Sequence, residues 1–260
     1  MDAAVTPSLN GKSLKTMIDH PSSPKPSRKL QLPQEEVHVW RAALDVDPLT
    51  LAELTQSLSP DEQDRAAKFH FAAHANRFRA ARGILRRILA SYLLISPEEI
   101  SFSQNDFGKP ALSPSGRESD VRFNVAHSQG LALYAFARER EVGVDIEQVN
   151  PQQVDLHVAE SFFSAREAAE ISAAPVDLRP EKFFRCWTRK EAYAKALGMG
   201  LSIDLRSFSV PLDPRLYTPM AVGDDAEPKL WWLAALAPAE GYVGAIVTEN
   251  PVVPLKLWQW

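Results

Sequence analysis

A single cysteine, Cys186, stands among 260 residues. No intramolecular disulfide can form, and the chain is expected to fold in a reducing cytoplasm on its apolar core alone. Also lacking is an apolar run of the roughly 18 residues that a membrane helix needs; the nearest approach, Leu230 to Val247, is broken by Pro238 and Glu240. No segment matches the phosphate loop G-x-x-x-x-G-K-[ST], which argues against a nucleotide hydrolase of that type. Charge of one sign is not in excess either. The 29 Lys and Arg face 33 Asp and Glu, a net charge of −4, which gives no support to a bulk nucleic-acid binder. With 45% hydrophobic and 24% charged residues, the composition excludes collagen-like, coiled-coil and wholly disordered chains. What remains is a globular protein with enough chain for one full core or two smaller ones.

The first 34 residues differ from the rest. They are rich in Ser, Pro and Lys, with almost no aromatic residue, and carry five basic groups (Lys12, Lys15, Lys25, Arg28, Lys29) against Asp2 and Asp19. Such a segment buries too little apolar area to offset its ordering entropy and is expected to be a flexible tail. It has no apolar centre of the kind a secretory signal uses.

From Val37 the patterning becomes that of a folded chain. Val37 to Trp40 alternates like a strand, and Ser59-Pro60-Asp61-Glu62 has the N-cap, first-turn proline and third-position Glu of a helix start. Arg65 to Pro97 then contains no acid but seven basic residues, Arg65, Lys68, Arg77, Arg79, Arg82, Arg86 and Arg87. Within it Phe78, Ala81, Leu85, Ile88 and Tyr92 repeat at 3,4,3,4 spacing, an apolar helix stripe. Arg79, Arg82 and Arg86 fall on an adjacent face, either a solvated edge or an anion site. His70 and His74, four apart, lack a third ligand nearby and read as ordinary helix residues. Strand-like runs follow at Val121 to Ala126, Leu131 to Ala137 and Val142 to Ile146. A helix is expected over Pro180 to Leu197, closed by Gly198-Met199-Gly200, and further strands at Lys229 to Ala235 and Tyr242 to Val247. The recurring order of strand, helix and strands predicts an α/β (α+β) protein of two similar halves, residues 36–140 and 141–260, behind a tail of residues 1–35.

Two elements carry chemistry. In Gly143-Val144-Asp145-Ile146-Glu147, residues two apart on a strand point to the same side, so Asp145 and Glu147 aim two carboxylates at one spot. That is either a solvated strand edge or half of a Mg²⁺ site, which favours carboxylate oxygens and leaves room for phosphate. In Phe184 to Lys195, Trp187, Glu191 and Lys195 share one helix face while Phe183, Cys186, Tyr193 and Leu197 share the apolar one. Cys186 is therefore read as a core residue. Glu191 and Lys195 form either an i,i+4 ion pair or, given five cations in this helix, a ligand or base with its own counter-charge.

The pair Val-Gly-Val-Asp-Ile-Glu and Trp-Thr-Arg-Lys-Glu-Ala-Tyr-Ala-Lys, about forty residues apart, resembles the 4′-phosphopantetheinyl transferases. The likeness is to the larger single-chain class that modifies carrier proteins of polyketide, nonribosomal-peptide and fatty-acid synthesis. Phe107-Gly108-Lys109-Pro110 and Phe123-Asn124-Val125-Ala126-His127-Ser128 resemble that family's two upstream motifs, in the same order, and the likeness spans residues 36–250. It implies two α/β halves related by a pseudo-twofold axis with the coenzyme in the cleft between them. It further implies transfer of the phosphopantetheine arm of coenzyme A to a serine of an apo acyl or peptidyl carrier protein, with release of 3′,5′-ADP. By position, Asp145, Glu147 and Glu191 match the Mg²⁺ ligands. Glu191 matches the base, and Lys195 the group that neutralises the departing phosphate. Arg82, Lys109, Pro110, His127, Ser128 and Lys195 match coenzyme contacts. Ala126 departs from the pattern, since a serine is frequent there; losing its hydroxyl removes a phosphate hydrogen bond worth about 1–3 kcal/mol. With both halves in one polypeptide a monomer is expected, and the cysteine count, apolar runs and charge balance above lead to a cytoplasmic protein with no nucleic-acid or membrane partner. The competing reading is a non-catalytic coenzyme A-binding protein of the same fold, which intact Glu191 and Lys195 disfavour.

Overall fold

The computed structural model describes residues 30–113, 119–213, 218–221, 230–249 and 254–260. In chain order the elements are β1 (Val37–Ala43), α1 (Pro48–Gln56), α2 (Pro60–Ala67), α3 (Ala72–Leu93), β2 (Phe102–Gln104), β3 (Pro110–Leu112), β4 (Val121–Ser128), β5 (Leu131–Arg138), β6 (Val142–Gln148), α4 (Leu156–Phe162), α5 (Ala165–Ala173), α6 (Arg179–Leu197), β7 (Thr218–Ala221), β8 (Leu230–Leu236), β9 (Tyr242–Glu249) and β10 (Leu255–Gln259). The helix ends follow local chemistry. Ser59 and Glu62 form the capping box of α2, and α6 stops at Gly198, whose φ of 70° is one that a side chain would disfavour.

Two four-stranded sheets form, ordered β10-β1-β5-β4 and β6-β9-β8-β7, with β2 and β3 as a separate pair. The sheets pack face to face. Val37, Val39, Ala126 and Leu133 of the first meet Val144, Ile146, Ala234 and Ile246 of the second in a common core. Outside the first sheet, α3 buries Ile84, Leu85, Ile88 and Leu89 in one cluster with Trp40, Tyr134 and Phe136. Outside the second, α6 buries Cys186, Ala192, Tyr193 and Ala196 with Trp231, Leu233 and Ala245. The molecule is α+β, layered helix, sheet, sheet, helix. Cys186 is a core residue, and burial pushes its thiol pKa up. Among the described residues, no helix is long and apolar enough to cross a membrane.

Two expectations change. Part of the expected tail is packed: Leu32 is buried and its carbonyl accepts from Arg138 Nε at 2.6 Å. The rest of the expected tail, residues 1–29, lies outside the described residues. The halves also interlock, because β10 leaves the second half and pairs in parallel with β1 of the first, Leu255 opposite Val37 through Gln259 opposite Arg41. Trp258 stacks on Trp40 at 5.2 Å there.

The acid-free basic run finds its counter-charges outside the run. Glu62 of α2 accepts from Arg82 Nε at 2.5 Å and from Arg86 Nε at 2.7 Å, and Asp45 takes Arg77 in a two-point contact. Arg86, 2% exposed, also donates to the carbonyls of Pro97 and Ile100. Much of this charge is structural.

Candidate active site

The glycine of Gly143-Val144-Asp145 fixes how closely α6 lies on β6. A Cβ at Gly143 would collide with the Ala192 carbonyl and the Ala196 amide of α6. Gly143→Ala is therefore expected to destabilise the fold by about 1–3 kcal/mol, because backbone cannot swing aside as a side chain can. Thermal unfolding reads this directly, and an unchanged melting temperature would contradict the close approach.

That approach brings the predicted acidic residues to one place. Asp145 is 4% exposed, and its Oδ1 accepts from Lys195 Nζ at 2.6 Å. The Glu191–Lys195 pair allowed by i,i+4 spacing is thus replaced by an ion pair across to β6. Glu147 Oε2 accepts from the Ser128 hydroxyl at 2.8 Å. Asp145 Oδ2 and Glu191 Oε1 are buried without a hydrogen-bond partner among the described residues. Burial first, then repulsion among the carboxylates, pushes the pKa values of Glu147 and Glu191 up; Asp145 is raised by burial despite Lys195. Buried carboxylate oxygens without partners are costly, so these residues stay at a price that a hard divalent cation would offset. The donor chemistry fits such an ion. The arrangement is not a closed cage: no three His, Cys, Asp or Glu side chains among the described residues are drawn together as a ligand set, with Asp145 turned to Lys195 and Glu147 to Ser128.

The other cations of α6 do not face this cluster. Lys182 pairs with Glu170 and Arg185 with Glu181. Arg189 donates to the carbonyls of Pro211 and Asp213, and burial brings its pKa down to about 10. Lys190 is fully buried on Glu167 at 2.8 Å. Five clustered charges in sequence reduce to Lys195 at the site.

His127 sits at the end of β4, before the two-residue turn Gln129-Gly130 that pairs Ser128 with Leu131. It lines a cavity of about 290 Å³ with Phe69, His74, Arg77, Phe78 and Gln129. Its ring is open at the cavity mouth, yet the surrounding protein, and then the Lys195 charge, hold its pKa below the usual imidazole value. Lys109 and Pro110 line a second concavity of about 230 Å³ at the C-terminal end of α6. Lys109 Nζ donates there to Glu141 at 2.6 Å and to the Ala196 carbonyl at 2.9 Å.

Two residues expected at the coenzyme have partners within the protein. Arg82 is tied to Glu62 and lies over the Phe102 ring at 4.3 Å. The α3 arginine beside His127 is instead Arg77, which the sequence showed only as one of seven cations. Ser128 gives its single proton to Glu147 while its oxygen accepts from the Gln148 amide at 3.1 Å, leaving no donor for a phosphate. Ala126 is buried in the core between the sheets, pointing away from the His127 cavity.

A family model described as "4′-phosphopantetheinyl transferase, N-terminal" matches residues 46–138, and one described as "4′-phosphopantetheinyl transferase superfamily" matches residues 141–247. The chain is 37% identical to the 4′-phosphopantetheinyl transferase HetI of Nostoc sp., over 94% of this chain and 100% of that one. It is 27% identical to the 4′-phosphopantetheinyl transferase Sfp of Bacillus subtilis, over 76% of this chain and 84% of that one. A human L-aminoadipate-semialdehyde dehydrogenase-phosphopantetheinyl transferase is 29% identical over 61% and 54% of the two chains. With both halves matched and a relative aligned from end to end, the chain belongs to the 4′-phosphopantetheinyl transferase superfamily.

Proposed function

We propose that the protein transfers the 4′-phosphopantetheine arm of coenzyme A to a serine hydroxyl of an apo acyl or peptidyl carrier protein, with Mg²⁺, releasing 3′,5′-ADP. The observation that carries this reading is the pair of unpartnered buried oxygens, Asp145 Oδ2 and Glu191 Oε1, beside Glu147 and Lys195. Asp145, Glu147 and Glu191 would hold the ion. Bound there, Mg²⁺ would neutralise pyrophosphate charge in a reaction governed mainly by positioning and electrostatics.

The chain's own groups supply the rest. Serine Oγ attacks the phosphorus bearing the pantetheine, and the bond to the ADP oxygen breaks. Glu191, at the edge of this cluster, would accept the serine proton. Lys195 Nζ has three protons and spends one on Asp145, so two remain to stabilise charge on the leaving phosphate. His127 would meet a coenzyme phosphate at the first cavity, and Lys109 with Pro110 the adenine end at the second. Both halves of the cleft lie in one chain, which supports a monomer, and the single cysteine supports a cytoplasmic setting.

Release of 3′,5′-ADP tests this. It should require coenzyme A, Mg²⁺ and an apo carrier together; release without carrier, or undiminished release in chelator, would contradict the reading.

His127 adds a pH prediction. Its lowered pKa leaves it neutral at pH 7, and a protonated imidazole grips phosphate better. The KM for coenzyme A should fall by up to about tenfold as pH drops below about 6.5. Coenzyme phosphate also titrates in this range, so His127→Gln is the control: it should flatten the profile, and an unaltered profile would remove His127 from the phosphate contact.

A further inference from the structure

Strands β4 and β6 are both sheet edges, β4 closing the order β10-β1-β5-β4 and β6 opening β6-β9-β8-β7. Each has a ladder partner on one side alone, so β6 carries a row of backbone groups that no strand satisfies. Alternate residues of β4, Asn124, Ala126 and Ser128, share one side of their strand. Asn124 Oδ1 accepts from the Val144 amide at 2.9 Å, and Ser128 Oγ accepts from the Gln148 amide at 3.1 Å. Both pins span 20 residues, so the strands run side by side in the same direction. Between the pins Ala126 shares the inter-sheet core with Val144 and Ile146. Asp145 and Glu147 lie between the two pinned residues. Ser128 makes a third contact, donating to Glu147 Oε2 at 2.8 Å.

We propose that Asn124 and Ser128 are positioning residues for the transfer reaction, clamping the open edge of β6 on either side of its carboxylate pair so that the sheet holding coenzyme at His127 and the sheet holding Asp145 and Glu147 keep one register. This rests on the transferase reading above. Main-chain pins of this kind set where a strand lies to within fractions of an ångström, the tolerance that phosphoryl transfer imposes. Asn124 is buried, and without it the Val144 amide would lose its partner.

The test compares Ser128→Ala, Ser128→Thr and Asn124→Ala by steady-state kinetics and by backbone amide exchange. In Ser128→Ala the Gln148 amide should exchange about tenfold faster and kcat should fall about tenfold, with the KM for coenzyme A within about twofold of wild type. Ser128→Thr keeps the hydroxyl and should restore both. Asn124→Ala should accelerate exchange at Val144; should it fail to fold, the Ser128 pair decides. A wild-type kcat or unchanged Gln148 exchange in Ser128→Ala would overturn the proposal. So would a loss confined to KM, which would make Ser128 a coenzyme contact instead. If wild-type protein transfers nothing, the functional reading falls; if it transfers and Ser128→Ala matches it, only the positioning role falls.

Discussion

Asp145→Ala should lower kcat by about 10²–10³-fold and leave the melting temperature no lower than that of wild type. The activity loss follows from removing one preorganised charge at the reacting phosphates. The stability half is the more discriminating. Asp145 is nearly fully buried, burial pushes its pKa up, and one of its oxygens has no partner. A carboxylate kept for structure would be satisfied on both oxygens. Its counter-ion Lys195 retains 29% side-chain exposure, so water can solvate the ammonium once Asp145 is gone. Asp145→Asn, of the same shape, separates charge from packing and should lose activity comparably. A variant that loses stability yet keeps its turnover would make Asp145 a structural residue.

The opposite behaviour is expected at Lys190 of α6. Lys190→Met should cost about 3–5 kcal/mol, because it strands a buried carboxylate. Lys190 Nζ contacts Glu167 at 2.8 Å, the Leu205 carbonyl at 2.6 Å and the Phe208 carbonyl at 2.7 Å, which uses all three of its protons. Glu167 in turn accepts from the Ser164 amide at 2.8 Å and the Val210 amide at 2.6 Å. The pair binds α5 and the chain after α6 to the helix that carries Glu191. The double variant Glu167→Gln with Lys190→Met should recover much of the loss, since neither charge is left unpaired. Denaturant unfolding of the single and double variants measures the coupling; equal stability of Lys190→Met and wild type would contradict a satisfied buried pair.

On the proposed reading adjacent positions 190 and 191 have opposite duties, only half legible in the sequence. Helical spacing placed Trp187, Glu191 and Lys195 on one face, and strand alternation placed Asp145 with Glu147. These are local periodicities that the backbone obeys whatever the tertiary context. The strands at Val121, Leu131, Val142 and Tyr242, the capping box at Ser59 and the glycine stop at Gly198 were readable for the same reason. What failed was the counting of charge along the chain. Arg82 and Arg86 looked unopposed because Glu62 lies outside their run and on another helix. Lys190 looked like a site cation because Glu167 is brought to it only by packing of α5 on α6. The parallel return of β10 to β1 was hidden likewise, being a short strand whose pairing spans almost the whole chain. The hydroxyl of Ser128 turns to Glu147 of a neighbouring sheet edge, a partner that no spacing within β4 could reveal.

The central claim is that the carboxylates of β6 and α6 serve the transfer of a phosphopantetheine group onto a protein serine. Intact-mass measurement of apo carrier proteins incubated with this protein, coenzyme A and Mg²⁺ tests it most directly. The account predicts a gain of one phosphopantetheine group per carrier, lost in Asp145→Ala and when the target serine is replaced. No mass gain on any of several carriers, with coenzyme A bound tightly throughout, would contradict it and leave a coenzyme-binding protein of the same fold.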